Sequence, residues 1–137
     1  MKKSFYSYDF IELSELLQTH QLGPQTASWL YNWHYKKNQR DFLVNGRLAN
    51  FDKNFIQSFF NFDLPQISQV QKAKDKTVKF LIELGDGKKV ESVLIPFQGK
   101  YTLCLSSQVG CAMNCSFCFT GTQGFFRNLE TSEIMGQ

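Results

Sequence analysis

The apolar periodicity of this chain changes once, near Asp63-Leu64-Pro65, and that change limits what it can fold into. Ahead of it, apolar residues recur every three or four positions, the spacing that gathers them on one face of a helix. Beyond it they alternate with polar residues, as in a strand with one buried face. The chain is therefore expected to be α+β, with its helices first and its sheet second. At 137 residues it has the material for one ordinary core, since folding at this length buries roughly two-thirds of the extended surface. A second full domain does not fit.

In the first part, Phe10, Leu13, Leu16 and Leu17 lie at helical spacing over residues 9 to 20, and Leu22-Gly23-Pro24 is a helix-stop signal. Pro24 suits the first turn of a second helix, with Ala27, Leu30 and Trp33 as its stripe. Trp29 and Trp33, four apart, share a face. A third group, Phe55, Ile56, Phe59 and Phe60, follows Asp52, which is expected to cap that helix. Phenylalanine is abundant, at 14 residues, and the cluster Phe55, Phe59, Phe60 and Phe62 reads as core filling in preference to base stacking. His20 and His34 read as packing or helix-surface residues. Residues 1–64 are assigned to a small helical accessory domain.

In the second part, Val78, Phe80, Ile82 and Leu84 alternate with Lys79, Leu81 and Glu83. Gly85-Asp86-Gly87 is a hairpin turn, and the return strand runs from Val90 to Ile95, closed by Pro96. This β-hairpin segment spans 65–98. From 99 to 137 a further strand, Tyr101 to Leu105, leads through Ser106-Ser107-Gln108 into a cysteine-rich stretch, and Thr131-Ser132-Glu133-Ile134-Met135 has the polar start of a helix. No internal repeat or low-complexity segment interrupts the chain.

The formal charge of +3, from 15 Lys+Arg against 12 Asp+Glu, is compatible with a nucleic-acid partner without arguing for one. Lys72, Lys74, Lys76 and Lys79 could touch RNA phosphates, but a solvated strand face is the favoured reading. The four cysteines all fall between positions 104 and 118, unlike a secreted disulfide framework, so a reducing compartment is expected. Met1-Lys2-Lys3 is followed by no apolar stretch of signal-peptide length, and no apolar run could span a bilayer. A cytoplasmic, monomeric protein with no membrane partner is expected.

Cys111, Cys115 and Cys118, in Gly110-Cys-Ala-Met-Asn-Cys-Ser-Phe-Cys-Phe119, have the spacing C-x3-C-x2-C. One loop could wrap these thiolates around one inorganic centre, and three thiolates on a four-iron cluster leave one iron free for a cofactor or substrate. Two alternatives stay open: a tetrahedral zinc site completed by Cys104, and a redox pair at Cys115-Ser-Phe-Cys118. The spacing favours the cluster, because zinc sites usually separate two ligand pairs by a dozen or more residues.

The flanks carry a closer resemblance. C-x3-C-x2-C with the aromatic Phe117 before its last cysteine resembles the radical S-adenosylmethionine (SAM) superfamily. Ser106-Ser107-Gln108-Val109-Gly110 ahead of it and Gly124-Phe125-Phe126-Arg127-Asn128-Leu129 behind it resemble the dual-specificity RNA adenine-C2 methyltransferases of large-subunit ribosomal RNA and transfer RNA. The resemblance follows the chain in order, specifically from Val90 onward and loosely before.

It implies that Cys111, Cys115 and Cys118 hold a 4Fe–4S cluster that binds S-adenosylmethionine. It also implies that Glu91 accepts the proton leaving adenine C2, and that Cys104 is a catalytic cysteine forming the disulfide that releases the product. In that family a different, C-terminal cysteine is methylated by one cofactor molecule, and a 5′-deoxyadenosyl radical from a second activates the methyl group. The implied partners are 23S rRNA, tRNA and an electron-donor protein for the cluster. C2 is an electron-poor ring carbon, which explains the need for radical chemistry, and a carboxylate is a sensible base for its proton. By their residues alone, Glu91 reads as a solvent-facing strand residue and Cys104 as a small strand hydrophobe.

The family's partial (β/α)6 barrel needs about six βα units of parallel strands joined by crossover helices. Here the expectation is its first strand, the cluster loop and the start of its first helix, within 99–137. No cysteine follows Cys118, so the chain is expected to be a truncated, inactive N-terminal portion. The competing readings are an RNA-binding module holding zinc or a cluster without catalysis, and a related methyltransferase acting at adenine C8.

Overall fold

The computed structural model describes residues 2–37, 50–113 and 115–137. It divides into two compact units, Met1–Asp63 and Leu64–Gln137, so the boundary falls at the change of period.

In the first unit, β1 (Lys3–Ser4) precedes α1 (Phe10–Thr19) and α2 (Pro24–Tyr31), which continues into a π-helical turn, Asn32–Lys36. Then come α3 (Asn50–Phe59) and β2 (Phe60–Asn61), which pairs in parallel with β1. A capping box starts α1: Glu12 N donates to Asp9 Oδ1 at 2.8 Å, and Asp9 N donates to Glu12 Oε2 at 3.0 Å. Such a cap is worth about 1 kcal/mol. Pro24 sits in the first turn of α2, where its missing N–H has no intrahelical acceptor to lose.

Asp52 does not cap α3. The helix begins at Asn50, which places Asp52 in its first turn, and there its Oδ2 accepts from Thr26 Oγ1 at 2.9 Å. The core takes Leu13 and Leu17 of α1, Ala27 and Leu30 of α2, Ile56 of α3, and Phe5, Tyr6 and Phe60. Phe5 lies at the centre of an aromatic cluster, its ring within 6.0 Å of those of His34, Tyr35, Phe60 and Phe62. His34 and His20 are both packing residues, the latter 4.7 Å from the Phe55 ring. Trp29 and Trp33 stack at 5.1 Å, as their spacing requires.

In the second unit, β3 (Gln66–Lys72), β4 (Val78–Glu83), β5 (Lys89–Phe97) and β6 (Lys100–Cys104) form an antiparallel meander in chain order. Two further strands, β7 (Gln108–Gly110) and β8 (Phe125–Asn128), pair with each other. The short helices α4 (Phe119–Thr122) and α5 (Thr131–Met135) lie before and after β8. Ile82, Leu84, Val90, Val109 and Leu129 make the core, with Phe80 and Ile134 packed against it. The Phe80/Ile82/Leu84 alternation thus buries the expected face.

Two features differ from expectation. The edge strand β3 was not foreseen, because its residues are exposed along its whole length and mostly polar. Pro96 does not close β5, which runs on to Phe97. The β4 pairing ends at Leu94, so Pro96 borders β6 alone, at Tyr101, where the missing N–H costs no bond to a strand on the other side. β6, where a further strand is expected, is hydrogen-bonded to β5 as the fourth strand of the meander. The link is Gln98-Gly99, both at positive φ, 47° and 76°, the geometry of a two-residue hairpin loop.

Candidate functional site

The cysteine stretch leaves β7 and returns in β8, so the antiparallel pair closes its neck. Gln108 faces Asn128 and Val109 faces Arg127, and then the register shifts so that Gly110 faces Phe125. Cys111 N donates to Gly124 O at 3.1 Å. Gly110 has φ 74°, and a Cβ there would run into the Gly124 carbonyl oxygen. Only glycine permits both the backbone angle and the approach.

Within the loop, Cys118 N donates to Cys115 O at 3.1 Å, folding these two cysteines into one turn, and Thr122 N donates to Cys118 O at 3.1 Å to start α4. The three loop cysteines are free and half-buried, whereas Met113, Phe119 and Phe117, the last 92% exposed, face outward. Among the described residues, no group of three or more His, Cys, Asp or Glu side chains converges to hold a metal ion. The three thiols therefore share one closed loop without being drawn into ligand geometry. The donor set itself fits an iron–sulfur cluster: only thiols, no histidine or carboxylate in the loop, all from one segment with a fixed neck.

Glu91 and Cys104 come from the adjacent strands β5 and β6. Val93 faces Cys104, and Glu91, two residues from Val93, projects to the same side, so both expected catalytic residues occupy one sheet face on neighbouring rungs. Both are exposed, and Cys104 is free. Lys79, expected on a solvated strand face, places its Nζ 2.9 Å from Glu91 Oε1.

The ladder between β5 and β6 ends at Cys104 and is continued by side chains. Ser106 Oγ donates to Glu91 O at 2.7 Å. Gln137 Oε1 accepts from Ser106 N at 3.0 Å and from the fully buried Ser92 Oγ at 2.8 Å, while its Nε2 donates to Ser106 O at 2.8 Å. The sequence held no signal for Gln137 as an anchor, because its partners lie 31 and 45 positions away.

Arg127, in the Gly124–Leu129 flank, is held by two carboxylates. Its Nε and Nη2 donate to Asp86 Oδ2 at 3.0 and 2.8 Å. Its Nη1 and Nη2 donate to Glu133 Oε2 and Oε1 at 2.7 and 2.8 Å. The hydrogen bonds to Glu133 and then to Asp86 raise the Arg127 pKa further above the usual arginine value. The Glu133 pKa is lowered chiefly by the Arg127 hydrogen bond, and that of Asp86 by the Lys88 backbone N–H and then Arg127. The same turn places Lys88 Nζ 4.2 Å from the Phe126 ring centre.

No protein-family model matches the chain. Curated relatives do. A dual-specificity RNA methyltransferase RlmN from Bdellovibrio bacteriovorus is 39% identical, over 98% of this chain and 34% of that protein. The RlmN of Solidesulfovibrio magneticus is 38% identical over 93% of this chain and 36% of its own length, and that of Campylobacter lari 40% over 81% and 35%. Among solved structures, a radical SAM methyltransferase from Sphaerobacter thermophilus superposes with a TM-score of 0.83 at 28% identity, covering 96% of this chain and 39% of that one.

The mixed helix-and-sheet fold that presents the closed three-cysteine loop is thus similar to part of a structure in the class of radical SAM methyltransferases. Within that class, the similarity is to RlmN proteins, of which the chain matches the N-terminal portion. It spans about a third of the length of the curated relatives it matches.

Proposed function

We propose that this chain is the part of an RNA methyltransferase that carries its cluster loop and its proton acceptor, in an enzyme that places a methyl group on C2 of adenine in 23S rRNA and in tRNA. The observation that supports this most directly is the glycine-necked loop bearing Cys111, Cys115 and Cys118, in a chain 39% identical to an RlmN protein over nearly all its length. The three cysteines would hold a 4Fe–4S cluster, with S-adenosylmethionine as its cofactor. When bound, the cluster supplies the single electron that starts the chemistry at the electron-poor ring carbon.

The chain's own residues would do the rest of what this portion contributes. The exposed Glu91 carboxylate offers a base for the C2 proton, with the Lys79 ammonium at 2.9 Å as its nearby counter-charge. Cys104 presents a free thiol on the same sheet face, where an adenine base whose proton passes to Glu91 would also come within its reach. The Ser106 and Gln137 hydrogen bonds hold the two strands together at the rung where backbone pairing stops. The partners would be the two RNAs and an electron-donor protein, and the setting a monomer in the cytoplasm. Among the described residues, no helix is long and apolar enough to cross a membrane.

Anaerobic reconstitution with iron and sulfide tests the metal. Brown colour, with iron and sulfide bound and lost on C118S substitution, is expected, whereas zinc bound without iron or sulfide would overturn the cluster. For the reaction, 2-methyladenosine should form when the full-length protein is given S-adenosylmethionine, reductant and RNA. Product methylated at C8 would overturn the assigned position.

A further inference from the structure

We infer that Arg127 is the positioning residue of the cysteine loop: with Asp86 and Glu133 it fixes the strand leaving the loop, and through the neck it sets how Cys111 and Cys118 are presented. The inference rests on reading that loop as the cluster site. Three rungs with a shifted register close the loop, and a two-stranded ribbon so short is marginal by itself. The loop's own large side chains, Met113, Phe117 and Phe119, are exposed and contribute little packing. The restraint has to come from outside the ribbon.

Arg127 supplies it from the rung opposite Val109. With a further bond from Nη1 to Asn128 O at 3.1 Å, all five of its N–H donors are engaged. Both carboxylates are oriented in advance by backbone donors: Lys88 N on Asp86 Oδ1 at 3.0 Å, and Glu130 N on Glu133 Oε2 at 2.9 Å. One sits in the β4–β5 turn, 41 positions before Arg127, and the other in α5, so the guanidinium ties β8 and the helix that follows it to a distant turn. Lysine, with one nitrogen, cannot reproduce a fork that serves two carboxylates at once.

The test compares the chain with its R127M, R127K, D86N and E133Q variants. Amide exchange is read at Cys111, whose N–H closes the neck, and at Leu129, whose N–H donates to Ser107 O. In R127M both should exchange about tenfold faster or more, while amides of the β4–β5 ladder stay within about twofold. R127K should recover less than half of that difference. If R127M loses protection throughout the β4–β5 ladder, D86N and E133Q decide the matter, each expected to loosen the neck alone.

The second reading is cluster content and its absorption spectrum after anaerobic reconstitution, expected to fall several-fold and to change shape in R127M. Unchanged exchange at Cys111, or a loosened neck with wild-type cluster content and spectrum, would overturn the inference. If the unaltered chain takes up no iron and sulfide, the cluster reading fails instead. The exchange measurement then judges Arg127 by itself.

Discussion

The two units hold themselves together by different means. The first buries its large side chains: Phe5, Leu13, Leu17, Leu30, Ile56 and Phe60 are each at most 2% exposed, and even its histidines lie against aromatic rings. The second leaves Phe97, Tyr101, Met113, Phe117 and Phe119 on its surface and depends on a small apolar core supplemented by polar staples around Arg127 and Gln137. Apolar burial is strong but undirected. Charge-assisted hydrogen bonds are directional and so fix orientation as well. The unit with candidate chemistry is the one that uses the second device.

Substitutions can break this contrast, and the largest effect belongs to the first unit. Ile56→Ala, at a fully buried site, should cost about 2–5 kcal/mol, read as a lower urea midpoint by far-ultraviolet circular dichroism. A cost below ~1 kcal/mol would show that the aromatic cluster carries this core without its aliphatic residues. Next comes Gly110→Ala, which combines positive φ with a clash at Gly124 and should cost about 1–3 kcal/mol. Calorimetry measures the loss, and anaerobic iron uptake should fall with it.

Smaller again is the pH dependence of the Arg127 network. The pKa values of Asp86 and Glu133 are both lowered in the folded state. Their stabilisation is therefore complete above the ordinary carboxylate range near about 4 and is lost as pH falls through the lowered folded values. The raised Arg127 pKa keeps that residue charged throughout this window. The difference in Tm between wild type and E133Q should be constant around neutral pH and shrink toward zero in strong acid. A difference that persists in acid would mean that Glu133 acts by packing and not by charge.

The smallest effect is expected at Lys79→Met. Its pair with Glu91 is exposed on both sides, so its loss should move stability by less than about 1 kcal/mol, measured by urea titration. A larger loss would make Glu91 a structural residue and weaken its proposed role as the base.

Much of this was legible in the residues. Helix periodicity located α1 and α2, the glycine-rich turn located the β4–β5 hairpin, and the Phe80/Ile82/Leu84 alternation identified the buried face. β3 was not legible, because an exposed edge strand carries no alternation for burial to impose. The misplaced cap at Asp52 has a similar cause, since a carboxylate near a helix start can serve the backbone or a distant hydroxyl, and Thr26 is 26 positions away. The cysteine spacing was plain, but its closure by Gly110 and Gly124 depends on a strand pairing that joins residues on both sides of the loop.

By itself, then, the sequence determined the order of helices and strands, the loop that carries the thiols, and the family that the chain resembles. Those depend on local spacing and on side-chain identity. Only the tertiary structure decided that Glu91 and Cys104 share a face, that Gln137 continues their ladder, and that Arg127 links a turn, a strand and a helix. Each depends on at least one contact between residues well separated in the chain, brought together by the register of the sheet and by what packs against it.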